Sequence, residues 1–143
     1  MSALNPYLNF NGNCEEAMNY YKSVFGGEFA MIMRYKDVPS DVPMNHGEVD
    51  GNKIMHISFP IGNSVLMASD CPPLMSVTYG SGGYNISVST DSKEDADKFF
   101  GGLTAGGNTI MPMADAFWGS YFGMCVDKFG ISWMISYDAP RNN

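Results

Sequence analysis

Residues 5–27 carry the pattern that organises the chain. Pro6–Phe10 alternates, with Pro6, Leu8 and Phe10 on one side and Asn5, Tyr7 and Asn9 on the other. That predicts a strand with one apolar and one polar face. Asn11-Gly12 turns the chain. Asn13 is placed to cap a helix, and Glu15-Glu16 fall in its first turn, where the helix dipole favours carboxylates. Ala17, Tyr20, Tyr21, Val24 and Phe25 then recur at helical spacing as a core-facing stripe, and Gly26-Gly27 ends the helix. Glu28–Tyr35 continues as a strand, and Lys36–Gly51 is a long loop holding Pro39 and Pro43. Lys53–Pro60 and Ser64–Ser69 pair as a hairpin about Ile61-Gly62-Asn63. The predicted order is β-α-β-β-β.

The order returns after a polar, Gly/Pro-rich stretch, Asp70–Gly83. At an offset of 80 residues Asn5 matches Asn85, Leu8 matches Val88, Glu15 matches Asp95, Tyr20 matches Phe100, and Gly26-Gly27 matches Gly106-Gly107. A period that long suits a duplicated half-domain rather than a solenoid. Tyr84–Thr90 reads as a strand and Asp91–Ala105 as a helix capped by Ser92. Asn108–Ala114 is a further strand, and Ala116–Val126 and Ser132–Asp138 pair about Asp127-Lys128-Phe129-Gly130. The expected organisation is one domain, 1–143, with a first module at 5–69, a linker at 70–83 and a second module at 84–138.

Composition narrows the function. Hydrophobic residues make up 45% of the 143 positions and charged residues 16%, which suits a chain with a packed core. The formal net charge is −7 and no Lys/Arg cluster occurs, so neither a nucleic-acid backbone nor an anionic membrane surface is an expected partner. No apolar run approaches the roughly 20 residues of a membrane span, and the first residues carry no basic and apolar leader. Cys14, Cys71 and Cys125 are odd in number and widely spaced. They read as reduced thiols, and the expected location is cytoplasmic. Cys14 falls at a helix N-terminus, where a thiol pKa would drop, but no acid/base partner lies near it in sequence.

The chemistry-bearing residues are few. His46 and His56 are the only histidines, ten residues apart on a loop and a strand, which is not a ligand-pair spacing. His56 alternates with Ile54 and Ser58, while Met55, Ile57 and Phe59 take the other face of that strand. It is either a half-buried histidine satisfied by a neighbour or a group that contacts a ligand or moves a proton. Phe117-Trp118-Gly119-Ser120-Tyr121-Phe122 is the strongest aromatic cluster; it is either packing or the lining of a pocket mouth. Twelve methionines fill gaps in the core or give an adaptable lining. No Ser-His-Asp or Cys-His arrangement is suggested, and no Gly-rich nucleotide loop follows a strand.

Several stretches carry a family resemblance: Pro6-Tyr7-Leu8-Asn9-Phe10-Asn11-Gly12-Asn13-Cys14-Glu15-Glu16-Ala17, Tyr20-Tyr21, Phe25-Gly26-Gly27, Ile54-Met55-His56 and Val65-Leu66-Met67-Ala68-Ser69-Asp70. They continue with Met111-Pro112, Phe117-Trp118-Gly119, Phe122-Gly123 and Asp127-Lys128-Phe129-Gly130-Ile131-Ser132-Trp133. With the tandem β-α-β-β-β order, these residues resemble the vicinal-oxygen-chelate superfamily of glyoxalase I, bleomycin-resistance proteins and extradiol dioxygenases. More narrowly they resemble its PhnB-like group, often labelled by similarity to a 3-demethylubiquinone methyltransferase. The resemblance implies an α+β fold in which two modules form a cupped mixed sheet, helices outside, around a cavity. It also implies a homodimer.

In metal-dependent members four ligands line the cavity, one on the first and one on the last strand of each half, usually His, Gln or Glu. Carried onto this chain, the first-strand positions fall at about Asn5 and Asn85. The last-strand positions, four past each turn glycine, fall at about Leu66 and Met134. In related sequences the stretch equivalent to Gly130–Met134 ends in a ligand Glu. An aliphatic chain and a thioether cannot stand in for carboxylates on a hard or borderline divalent ion. No metal ligand and no cofactor is therefore expected, with a divalent metal as the alternative.

The resulting expectation is a protein that binds a small apolar or aromatic ligand without chemistry, with Tyr7, Asn9, His56, Asn85, Ser87, Trp118 and Tyr121 on the wall. His56 is the best candidate should the protein be catalytic. The alternative is a metal-dependent glyoxalase- or dioxygenase-like enzyme, a lyase or an oxidoreductase. A methyltransferase is disfavoured for lack of a nucleotide loop, and a structural dimer with a filled cavity is the third reading.

Overall fold

The computed structural model describes residues 2–39, 49–72, 75–79 and 83–139. His46, most of the Lys36–Gly51 loop and parts of the Asp70–Gly83 linker lie outside the described residues. The chain divides into two units, Met1–Thr78 and Tyr79–Asn143. No helix among the described residues is long and apolar enough to cross a membrane.

The first unit runs β1 (Tyr7–Phe10), α1 (Cys14–Phe25), β2 (Met31–Arg34), a 3₁₀ turn (Tyr35–Asp37), β3 (Ile54–Ile61) and β4 (Ser64–Asp70). Its strands form one sheet in the order β1-β4-β3-β2. Gly62-Asn63 closes β3 onto β4 as a tight hairpin with Ile61 opposite Ser64, and β1 then lies parallel to β4. Gly62 takes φ +57, a left-handed conformation that glycine adopts without steric cost. Helix α1 packs on β3 and β4. Ala17, Met18, Tyr21 and Val24 are buried with Leu8, Phe10, Ile57, Phe59, Leu66 and Ala68, which are alternate residues of the strands. Among the described residues, no helix of the same unit covers the opposite face of this sheet.

The strand at Glu28–Tyr35 is shorter than expected, because Tyr35–Asp37 tightens into the 3₁₀ turn. Ile54 also departs from the expected alternation. Met33 pairs with His56 but Arg34 pairs with Ile54, so Met55 is an extra residue on β3. That irregularity turns Ile54 into the core, fully buried, while His56 keeps the opposite face with Ser58.

The second unit runs β5 (Ile86–Ser89), α2 (Lys93–Thr104), β6 (Asn108–Asp115), β7 (Ser120–Val126) and β8 (Ser132–Asp138), in the sheet order β5-β8-β7-β6. Helix α2 packs on β6, β7 and β8. Ala96 and Leu103 are buried together with Cys125, Trp133 and Ile135. Gly107 fits only as glycine, because a Cβ there would run into the Val126 carbonyl oxygen and the Asp127 backbone. The chain at Ala116–Gly119 is a turn rather than the first part of a strand.

The two units echo one another with two offsets, not one. Tyr7 pairs with Met67 and Ser87 with Met134, so the first strands match at 80 residues. The buried helix positions match at 79: Ala17 with Ala96 and Val24 with Leu103. Phe100 is thus the counterpart of Tyr21, not Tyr20, because the second unit uses one residue fewer between strand and helix.

The helix starts also differ. Ser92 caps α2 by accepting a 3.0 Å hydrogen bond from the Asp95 amide. Asn13 occupies the cap position of α1 but makes no side-chain cap bond. Asp70, at the end of β4, does that work from across the unit.

Candidate functional site

On the first sheet the open face is read from the register. Met31 sits opposite Ser58, Ser58 opposite Met67, and Met67 opposite Tyr7. The next row holds Met33 opposite His56, and Asn9 opposite Ser69. Tyr7 is 44% exposed and His56 half-buried. The Tyr7 hydroxyl and His56 Nδ1 are hydrogen-bonded at 3.1 Å, with the rings 5.7 Å apart and tilted by 34°. That bond occupies one ring nitrogen and fixes the imidazole against the phenol. Tyr7, Asn9 and His56 are therefore brought together on one surface lined by thioethers.

On the second sheet the equivalent row is Met111, Met124, Met134 and Ser87, each opposite the next. Asn85 lies two residues before Ser87, just outside β5, and is half-buried. Trp118 stands in the β6–β7 turn, 57% exposed, with its ring 5.8 Å from that of Phe122. Gly119 permits that turn with φ +97, and its amide donates to the Ala116 carbonyl.

Tyr121 is on the other side. It pairs with Tyr137 in the same alternation as Gly123–Ile135 and Cys125–Trp133, which face α2. Its hydroxyl donates to Asp97 Oδ1 on α2 at 2.5 Å, and Lys93 Nζ lies 4.7 Å from its ring centre. The expectation that Tyr121 joins Trp118 on one wall is corrected by simple strand parity. The hydrogen bond to Asp97, then burial and the charge of that carboxylate, raise the Tyr121 pKa.

The ligand set implied by the resemblance can be tested on the donors present. Counting four residues past Gly62 reaches Leu66, which is buried under α1; the open-face residue is Met67. The count fails because the first hairpin turn has two residues, whereas the second places Val126 opposite Ser132. Asn5 Oδ1 accepts a 3.0 Å bond from the Val65 amide, so that carbonyl is already engaged. The first- and last-strand residues that meet in the middle row of each sheet are Tyr7 with Met67 and Ser87 with Met134, flanked by Asn9 with Ser69 and Ser89 with Ser136, a neutral donor set without His or carboxylate that does not fit a hard or borderline divalent ion. No cluster of three or more His, Cys, Asp or Glu among the described residues is arranged to hold a metal.

Two buried carboxylates escaped the sequence reading. Asp70 is 2% exposed. Its Oδ1 accepts from the Gly12 and Cys14 amides at 3.0 and 2.9 Å, and its Oδ2 from the Ile54 amide at 2.9 Å. Asp127, also buried, accepts from the Phe129 and Ile131 amides and, at 2.8 Å, from Trp133 Nε1. A signal existed for Asp70: it follows Leu66 and Ala68 on the buried parity of its strand, and a carboxylate there must be fully hydrogen-bonded.

A polar cleft of about 430 Å³ opens at the N-terminal end of α1, and an adjoining one of about 270 Å³ lies beside Tyr35 and Cys71. The charges of the larger cleft are engaged internally. Arg34 grips Glu15 with two bonds of 3.1 and 2.6 Å and donates to the Asn52 carbonyl, and Lys53 Nζ donates to the Gly12 carbonyl. The Arg34 hydrogen bond holds the Glu15 pKa below its ordinary value. These contacts brace the 3₁₀ turn against α1.

The cysteines are passive. Burial, with Asp70 and Glu15 nearby, pushes the Cys14 thiol far up, overriding the helix N-terminus. Burial pushes Cys125 up to about 11 and raises Cys71 as well.

Residues 2–136 match the family model described as 3-demethylubiquinone-9 3-methyltransferase. The chain is similar to protein PA1353 from Pseudomonas aeruginosa, at 37% identity and a TM-score of 0.80, over 96% of this chain and 98% of that one. It is similar to a structure titled putative 3-demethylubiquinone-9 3-methyltransferase, PhnB protein, from Bacillus cereus, at 26% identity and a TM-score of 0.75, over 95% and 99%. The fold alone is shared with a glyoxalase/bleomycin resistance protein/dioxygenase family enzyme from Burkholderia phytofirmans PsJN, at 18% identity and a TM-score of 0.58, over 92% and 95%. The chain thus belongs to the family described as 3-demethylubiquinone-9 3-methyltransferase, a PhnB-like group with the glyoxalase/bleomycin-resistance fold of the vicinal-oxygen-chelate superfamily.

Proposed function

We propose that this protein binds a small apolar or aromatic molecule on its open sheet faces, without a catalytic divalent metal. The observation that carries the reading is the Tyr7–His56 pair at 3.1 Å, set among Met31, Met33 and Met67. A few fixed hydrogen-bonding groups in an adaptable apolar surface are the usual make-up of a small-molecule site. Asn9 adds a further hydrogen-bonding group on the first sheet; the second sheet presents Asn85 and Ser87 as hydrogen-bonding groups of its own, with Trp118 as a stacking surface. His56 is the group that would touch a ligand through the ring nitrogen not bonded to Tyr7. Cytoplasmic location and a homodimer go with this reading.

A thermal-shift and Trp-fluorescence screen against small aromatic compounds tests it. Trp133 is buried and bonded to Asp127, so quenching that disappears in Trp118→Phe reports the open face. Saturable binding that weakens in both His56→Ala and Tyr7→Phe supports the proposal. Metal analysis tests the rival enzyme reading. Stoichiometric Zn, Ni, Mn or Fe in freshly purified protein, lost in His56→Ala, overturns the metal-free account. The methyltransferase description of the family finds little support in this topology: the parallel strand pairs are β1–β4 and β5–β8, and neither has the Gly-rich strand-to-helix turn of a dinucleotide-type fold.

A further inference from the structure

The donors on the second sheet do not suit a divalent ion, but they do suit a soft one. We propose that Met111, Met124 and Met134 together hold a soft monovalent cation of the Cu(I)/Ag(I) class through their thioether sulfurs. The three lie on three neighbouring strands, Met124 opposite Met134 in regular register and Met111 opposite Met124 between two register irregularities of β6, and that pairing puts them in one row. Adjacent strands are about 5 Å apart, a gap that two flexible methionine side chains leaning toward a third can close.

The row is open to solvent on its side of the sheet. Met111 is 46% exposed, and Met124 and Met134 are half-buried, whereas the residues alternating with them, Gly123, Cys125, Trp133 and Ile135, are buried beneath α2. Ser87 closes the row, and the next row holds Ala114, Phe122, Ser136 and Ser89, so no carboxylate or imidazole competes on these two rows. Neutral, polarizable sulfur without hard donors selects a soft ion over Mg, Ca or Zn. The net charge of −7 favours a cation over an anion in the same place.

The first sheet provides an internal control. Its equivalent row is Met31, Ser58, Met67 and Tyr7, where Ser58 separates the two thioethers. The inference therefore assigns the ion to the second sheet only. It shares the open face of the second sheet and Ser87 with the reading above but rests on the thioethers alone.

The test titrates silver nitrate in chloride-free buffer into the full chain labelled at the methionine methyl carbons. A Cys71→Ser background removes the one thiol that is not buried. The expected result is saturation at about one equivalent, with shifts confined to the methyls of Met111, Met124 and Met134. The volume-conserving Met124→Leu variant abolishes those shifts, whereas Met67→Leu leaves them. An unchanged amide spectrum of Met124→Leu shows that the fold is intact. Absence of saturable shifts, or shifts that follow Met31 and Met67 or survive Met124→Leu, overturns the proposal. A failed organic-ligand screen leaves this outcome untouched, so the two readings fail separately.

Discussion

Across the first sheet the middle row runs Met31, Ser58, Met67, Tyr7; across the second the equivalent row runs Met111, Met124, Met134, Ser87. Beneath those rows the helix-covered faces are alike. Ala17 and Ala96 are both fully buried, as are Val24 and Leu103 to within a few per cent. The covered face must exclude water, so apolar packing holds its residue types within narrow limits. The open face carries no such demand from its own unit. There one sheet places a phenol and an imidazole, and the other a run of sulfur and a Trp118–Phe122 ring pair. Duplicated modules can thus keep one core and present two different surfaces.

A second contrast concerns buried charge. Among the described residues each unit buries one aspartate, but the two do different work. Asp70 ties the end of β4 to the start of α1 and to β3. Asp127 ties its own turn to the Trp133 indole. The strongest way to sharpen this contrast is to remove each in turn. Asp70→Ala and Asp127→Ala each strand three donors, and at about 1–3 kcal/mol per buried unsatisfied donor each should cost about 3 kcal/mol or more. Urea unfolding followed by Trp133 fluorescence and by circular dichroism measures it. Independent units separate the two signals in both variants, with Trp133 unfolding later than the circular dichroism midpoint in Asp70→Ala and earlier in Asp127→Ala, whereas coincident signals in both mean that the units unfold together.

The next effect is on binding. Removing the hydroxyl in Tyr7→Phe or the imidazole in His56→Ala should weaken a ligand by about tenfold, or about 1.4 kcal/mol, while leaving the urea midpoint within error. For a ligand held on the second sheet, Trp118→Phe should cost less than that, because one aromatic surface replaces another. A tenfold loss there as well would erase the distinction between the two faces.

Alkali provides a smaller test on the covered face of the second unit. The folded pKa of Cys125 is raised, by burial first and by Asp127 second, to about 11 from an ordinary value of 9.0. A raised folded pKa means that stability is fully present below pH 9 and declines as pH rises toward 11. Cys125→Ala should flatten that decline in a urea series. Cys14 and Cys125 should resist thiol reagents in native protein, and Cys71, half-buried, should react first.

The smallest expected effect is that of Tyr121→Phe. The residue faces α2, so ligand binding should not change, and loss of an exposed bond to Asp97 should cost under about 0.5 kcal/mol. Weakened binding in that variant would put Tyr121 back on the open face.

Much of the fold was legible along the chain. Period-two and period-3.6 patterns, glycine turns and Ser92 as a cap marked the elements, and the spacing of Asn5–Gly27 and Asn85–Gly107 marked the duplication. The site was legible only where parity was undisturbed. Tyr7, Asn9 and Ser87 face as alternation predicts, but Ile54, Leu66 and Tyr121 do not sit where the sequence count put them. An extra residue at Met55 and a short turn at Gly62-Asn63 each move a side chain to the opposite face, and Tyr121 follows the parity of Gly123 and Cys125 toward α2.

The sequence by itself determined the order of elements, the apolar stripes that must be covered, and the lack of any His or carboxylate within Ser64–Ser69 and Ser132–Tyr137. Those are properties of consecutive residues, governed by local periodicity. Tertiary structure decided that Asp70 rather than Asn13 caps α1, that Tyr7 reaches His56, and that three methionines from separate strands share one row. Such contacts join residues up to 56 positions apart. They depend on strand register, which a single inserted residue reverses and no local pattern encodes.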